Sequence, residues 1–301
     1  MRAAAVALSL VVAASCSSIG GDEAASGDPS VVPADSGRID VGGYELAYQC
    51  EGDRSESPTV ILEAGYDSGG TSTWFELQPK IAQLARVCTY DRAGVGTSDA
   101  RPASMEPVKG TQIAAELDAL MTGMEAAGPY LLVGHSYGGL LVRTYGANYQ
   151  DEVAGMVLID ASSEPEIEIY RRLHADAWVD GGMRVDIDDV ADDVRKVRLG
   201  AKPLIVLTAE IIEDEWLSQV PDEAAAAQAR LATLSTNVVH VLARDTGHFI
   251  QDERPSLVLE AIRQVVEAAR SGEDLEACGA AFEQASGECV AEGTVPELLA
   301  P

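Results

Sequence analysis

Basic residues are scarce in this chain, and so is histidine. Its 301 residues hold 21 lysines and arginines against 49 aspartates and glutamates, a formal net charge of −28, and only four histidines. A chain so acidic lacks the basic face that phosphate backbones require, so nucleic acid is not an expected partner, and the acidity reads as a source of solubility. No Cys-x-x-Cys or His-x-x-x-His spacing occurs, so no zinc site is expected. No nucleotide, flavin or other metal motif is visible, and no cofactor is expected. There is no internal repeat of solenoid length. The apolar stretch Ala3 to Ala14 has 12 residues, short of the roughly 20 that span a bilayer. The length suits one large domain or two small ones, with ample apolar content for a core.

That short stretch follows Arg2 and leads through small residues into Cys16, which is the pattern of an export signal. "Ala-Ala-Ser-Cys" also resembles a bacterial lipoprotein box, in which the cysteine becomes the lipidated first residue. Ala13 stands where leucine is usual, so ordinary cleavage nearby is the alternative. Residues 1–16 are therefore read as the signal and 17–37, rich in Ser, Gly and Asp, as a flexible tether. The expected location is outside the cell, either secreted or held at the surface by a membrane tether through Cys16. Export leaves Cys50, Cys88, Cys278 and Cys289, an even count that suggests two disulfides.

Downstream, "GGYELAYQCEG" alternates like a strand with one exposed face. "TVILEAG", "RVCTYDRAG", "YLLVGHS", "AGMVLIDAS", "PLIVLTAE" and "NVVHVLARDTGH" are nearly continuous apolar runs, as in strands covered on both faces. Helical patterns lie between them, at Trp74 to Leu84, Lys109 to Met124, Leu140 to Tyr149, Ala224 to Leu234 and Ser256 to Ala269. The alternation predicts an α/β fold with a mostly parallel sheet, and ligands in such sheets bind beyond the carboxyl ends of the strands. About 40 residues separate "MVLIDAS" from "PLIVLTAE", too many for a plain crossover, so 162–201 are read as a small helical lid. The main domain is placed at 38–270 and a tail at 271–301.

The decisive motif is "GHSYGG", residues 134–139, between an apolar run and a helical pattern. Gly-x-Ser-x-Gly in that setting is a nucleophile elbow, a sharp strand-to-helix turn that lifts Ser136 above the sheet. Gly134 and Gly138 approach each other across the turn, and Gly139 lets the helix approach the sheet. A serine hydroxyl needs a base. His135 adjoins Ser136 and should point away from its hydroxyl, His174 falls in the lid and His240 lies inside the last strand. His248, on a loop opened by Gly247, is the expected base.

With "LEAGY" (62–66), "YDRAGVGTS" (90–98), "VLIDAS" (157–162) and "GHFIQDERP" (247–255), these residues make the chain resemble an α/β-hydrolase fold serine hydrolase of the esterase, lipase and peptidase group. The resemblance spans roughly Gly43 to Ala269. It implies an eight-stranded, mostly parallel sheet flanked by helices. It implies a triad acid, usually after the seventh strand, but there Ile212 occupies the carboxylate's place and Glu210, Glu213 and Asp214 are out of register. Some members carry the acid after the sixth strand, so Asp160 is assigned, with those three as alternatives. It implies an oxyanion hole from the backbone N–H groups of Tyr137 and Tyr66, and it makes Asp91 and Arg92 structural. It also places Cys50 and Cys88 where neighbouring strand ends meet, leaving Cys278 and Cys289 to bridge the tail. The expected function is hydrolysis of a small-molecule carboxylic ester, with an amide or lactone next, through an acyl-enzyme. A binding protein on the same scaffold, or an acyltransferase, are the alternatives.

Overall fold

In the computed structural model of the chain, the residues described are 35–66, 69–173 and 178–299. The segment read as an export signal, Cys16, most of the stretch read as a tether and His174 lie outside them.

Eleven strands are present among the described residues, in chain order β1 (Asp35–Asp40), β2 (Glu45–Glu51), β3 (Thr59–Glu63), β4 (Val87–Tyr90), β5 (Tyr130–His135), β6 (Val153–Ile159), β7 (Val179–Asp180), β8 (Met183–Arg184), β9 (Leu204–Ala209), β10 (Val238–Ala243) and β11 (Gly287–Cys289). The helices are α1 (Gly70–Thr73), α2 (Gln78–Ile81), α3 (Gly110–Gly123), α4 (Tyr137–Asn148), α5 (Glu164–Leu173), α6 (Ile187–Val194), α7 (Pro221–Leu231), α8 (Ile250–Glu253), α9 (Pro255–Ser271) and α10 (Ala280–Gln284). Nine strands form one sheet in the order β1-β2-β4-β3-β5-β6-β9-β10-β11. The five pairings from β4 across to β10 are parallel; the outer ones are antiparallel.

The continuous apolar runs are covered on both faces, as their composition requires. Val60, Leu62, Leu131, Val133, Ile205 and Leu207 pack on one side with Trp74, Leu77 and Ile81 and with Leu257, Val258 and Ile262 of α9. Their neighbours Ile61, Leu132, Leu158, Leu204 and Val206 pack on the other with Leu117, Leu120 and Met121 of α3 and Val142 and Tyr145 of α4. The period-2 alternation of a strand sends successive side chains to opposite layers. Helix ends follow local chemistry. Pro221 and Pro255 open α7 and α9, and Gly272, at φ 71°, closes α9 in the left-handed region.

Three features differ from the sequence reading. The sheet has nine strands rather than eight, because the tail returns as β11 and pairs antiparallel with β10, Val241 opposite Cys289. Pairing begins at Asp35, inside the stretch read as tether. β1 is mostly exposed and is joined to β2 by backbone pairing and the Arg38–Glu45 ion pair, so no apolar alternation announces it. The insertion at 162–201 holds a two-stranded hairpin, β7–β8, as well as the helices α5 and α6.

Both disulfides are formed. Cys50 and Cys88 are a cross-strand pair on β2 and β4, and Cys278 bonds Cys289 on β11. In the chain-entropy account, closing loops with separations of 38 and 11 residues stabilises the fold by about 4 and about 3 kcal/mol.

Candidate active site

The turn from β5 into α4 is as tight as its glycines suggest. Ser136 sits at φ 53° and ψ −124°, a conformation costly for a residue with a side chain. Its backbone is held on both sides. Its N–H donates to the Ile159 carbonyl at 3.0 Å, and its own carbonyl accepts from Gly139 at 2.9 Å and Ser162 at 3.0 Å. A Cβ on Gly134 would stand 2.7 Å from the Gly138 oxygen, and one on Gly139 would stand 2.3 Å from the Ala161 Cβ. Either contact would push α4 off the sheet.

His248 lies on the loop after β10, partly buried. Its Nδ1 donates to Asp160 Oδ2 at 2.6 Å, which leaves Nε2 as the basic nitrogen. Asp160 follows β6 and also has positive φ, 39°. Its second oxygen accepts the Ala209 N–H at 2.9 Å, so the carboxylate is fixed from the adjacent strand. Burial works against a charged His248 ring, but the hydrogen bond and charge of Asp160, with Glu166 and Glu213 behind them, raise its pKa above the ordinary value.

The other carboxylates weighed as triad acid are engaged elsewhere. Glu210 is buried against Arg244 at 2.7 Å and accepts the Asp245 N–H. Glu213 accepts the His248 backbone N–H at 3.0 Å, and among the described residues no hydrogen bond joins it to the ring. Asp214 caps the N–H groups of Trp216 and Leu217 and accepts the Tyr170 hydroxyl. Ile212 is buried in the pocket wall.

Ser136, Asp160 and His248 line one cavity of about 430 Å³ at the carboxyl ends of the strands. Among the described residues no hydrogen bond joins the Ser136 hydroxyl to His248. Such bonds are often long in a free enzyme and tighten when substrate is bound. Tyr66 and Tyr137 line the same cavity. Tyr137 is the first residue of α4, where backbone N–H groups have no partner within the helix. The Ala64–Tyr66 loop abuts the turn closely, for a Cβ on Gly65 would stand 3.4 Å from the Ser136 Cβ.

That loop is clamped from below. The buried Arg92 guanidinium donates to the Ala64 and Gly65 carbonyls, both at 2.8 Å. It also pairs with Glu63 at 2.7 Å and with Asp180 of β7 at 2.9 Å. Arg101 reaches Asp180 from another side and pairs with Glu116. The network therefore ties the β3 loop to the insertion hairpin, and charges buried this deeply require such mutual pairing. Asp91 accepts from Thr71 and Thr97 and acts as a loop staple.

The remaining histidines have other positions. His135 Nε2 donates to the His248 carbonyl at 2.9 Å, and burial, with His248 nearby, pushes its pKa down to about 4. Its ring lies beside that of His248, tilted by 45° with centroids 4.7 Å apart. His240 bonds Thr208 at 2.8 Å, and burial lowers it likewise to about 4.

Two groups in the cavity escaped the sequence reading. Glu166, on α5, is buried; it accepts from the Ser163 N–H and from Gln228. Burial first, and the charge of Asp160 second, push its pKa up to about 8. The second group is an aromatic wall of Tyr66, Tyr137, Tyr170 and Trp178, with ring centroids 5.7 to 6.4 Å apart.

A family model described as alpha/beta hydrolase fold matches residues 58–208, half of the chain. The chain belongs to the α/β hydrolase fold family. It is 28% identical over 228 residues to the uncharacterized protein YqjL of Bacillus subtilis strain 168, covering 70% of this chain and 84% of that one. It is 29% identical over 143 residues to a proline iminopeptidase of Lactobacillus helveticus, covering 46% of this chain and 48% of that one. It spans about a fifth of several longer relatives. Among solved structures, a meta-cleavage product hydrolase from Pseudomonas fluorescens IP01 superposes with a TM-score of 0.58 at 17% identity, covering 77% of this chain and 98% of that one. At that identity the likeness carries the fold alone. The α/β hydrolase family includes hydrolases acting on different bonds, so the reaction has to be argued from the site.

Proposed function

We propose that this α/β hydrolase is a serine hydrolase that cleaves small-molecule carboxylic esters, and that Ser136, His248 and Asp160 form its triad. The observation that carries the reading is the 2.6 Å bond from His248 Nδ1 to Asp160, made on the wall of the cavity that Ser136 also lines. In the reaction, His248 Nε2 takes the proton from Ser136 Oγ as Oγ bonds to the carbonyl carbon. The oxyanion faces the N–H groups of Tyr137 and Tyr66, each such donor being worth about 3 kcal/mol at the transition state. Asp160 stabilises the imidazolium, which then protonates the leaving alcohol. Water, activated by the same ring, releases the acid from the acyl-serine.

The pocket also suggests a class of ester. Asp160, Glu166, Glu213 and Asp214 line it, and no lysine or arginine does so among the described residues. Neutral esters with an aromatic or aliphatic group suit it better than esters bearing a further carboxylate. The two disulfides suit an oxidising compartment and support the reading of an exported protein, with lipidation at Cys16 as one route to a membrane surface.

A fluorophosphonate probe should label native protein at Ser136 and fail to label heat-denatured protein, with the site found by peptide mass spectrometry. A folded protein that takes no label and turns over no ester would instead be a binding protein on a hydrolase scaffold. The pH profile provides a second check. Only the neutral ring can accept the serine proton, and Asp160 holds the proton on. The acid limb of kcat/KM should therefore lie above the ordinary imidazole value of about 6.5, with activity falling as pH drops through it. An acid limb below that value, measured with a neutral ester, would contradict the assigned pairing.

A further inference from the structure

The tail does more than extend the sheet. After Cys289, the Val290 N–H donates to the His240 carbonyl at 2.9 Å, and the chain leaves β10. Nine residues later it is held again. The Leu299 N–H donates to the Glu210 carbonyl and the Leu299 carbonyl accepts from the Ile212 N–H, both at 2.7 Å, a bridge that brackets Ile211. Residues 291–299 are thus a strap between two anchors, the first reinforced by the Cys278–Cys289 bond. At its far end the partly buried Leu298 lines the same cavity as Ser136 and His248.

We infer that this strap is a specificity wall of the site, with Leu298 setting how large an apolar group the substrate can carry. The inference rests on the reading of Ser136 as the nucleophile. The cavity has an aromatic side, described above, and an aliphatic side of Ile211, Ile212, Leu217 and Leu298. The first three come from the segment after β9. Leu298 alone of these comes from the C-terminal tail, and its backbone neighbour grips that same segment. Its side chain therefore closes the aliphatic side from a fixed position. Removing it leaves the Leu299 bridge intact, because that bridge uses backbone atoms only. The volume released is that of about three methylenes. A substrate carbon that enters such space gains roughly fourfold in kcat/KM for each methylene buried.

The test uses the full chain and its Leu298→Ala and Leu298→Trp variants. Two ester series are assayed, p-nitrophenyl esters of increasing acyl length and alkyl acetates of increasing alkoxy length. In at least one series, Leu298→Ala should raise the ratio of kcat/KM for long over short esters by on the order of tenfold, and Leu298→Trp should lower it. Opposite shifts from the two variants separate pocket size from general damage, which would depress long and short esters alike. Variants that melt like wild type but keep the wild-type ratio in both series would overturn the strap's role, while labelling at Ser136 left the nucleophile standing. If wild-type protein neither takes the probe nor turns over either series, the nucleophile reading fails and the strap's role fails with it.

Discussion

Ser136→Ala should lower kcat by about a millionfold, to a residue set by the oxyanion donors and substrate binding alone. The change removes one oxygen and leaves the turn's backbone bonds to Ile159, Gly139 and Ser162 untouched. The variant should therefore fold and melt much as wild type does. Hydroxyl loss is so costly because the remaining groups act as a unit: a poised imidazole with no nucleophile to deprotonate contributes almost nothing. The measurement is steady-state turnover of a p-nitrophenyl ester, with probe titration to exclude traces of wild-type enzyme. A variant that keeps a hundredth of the activity would mean that another group attacks the carbonyl, and the proposed mechanism would be lost.

Asp160→Asn should lower kcat by about ten-thousandfold, with little change in the fold. The asparagine can keep its oxygen on the Ala209 N–H, where Asp160 Oδ1 now accepts at 2.9 Å. Its NH₂ would then face His248 Nδ1 and demand the tautomer with the proton on Nε2. That ring cannot accept the serine proton, and the imidazolium loses its counter-charge. Glu213→Gln and Asp214→Asn should each cost less than about tenfold, because a neutral amide oxygen can still accept the backbone N–H groups those residues bind. Kinetics of the three variants at the optimum pH decide between the carboxylates. A larger loss in Glu213→Gln than in Asp160→Asn would transfer the role of acid to the loop after β9.

The contrast between these residues shows how much of the site was legible in advance. The Ser136 turn could be read because its requirements are local. Glycines two residues to either side, an apolar strand before and a helix after all lie within 17 consecutive residues, 130–146. His248 could be read because there were few competitors and it followed the last of the apolar runs, now β10. Asp160 needed a resemblance, because its bond to His248 joins positions 88 residues apart and Glu210, Glu213 and Asp214 stood as alternatives. What separates them is which oxygen meets Nδ1, and no spacing states that.

From its own pattern the sequence determined the α/β layering, the elbow and the positions of the covered strands, since periodicity and glycine spacing express short-range sterics. Tertiary structure alone decided the rest. Glu166 reads as an ordinary acid at the start of a helix until Gln228 and the neighbourhood of Asp160 bury it. Tyr66, Tyr137, Tyr170 and Trp178 become one wall only when the insertion folds over the β3 loop, which the Arg92–Asp180 pair holds in place. Leu298 enters the cavity because a backbone bridge at Leu299 brings the tail to Ile211. Contacts like these depend on where distant segments come to rest, and the energy that fixes them is shared among many residues rather than written in any one stretch of chain.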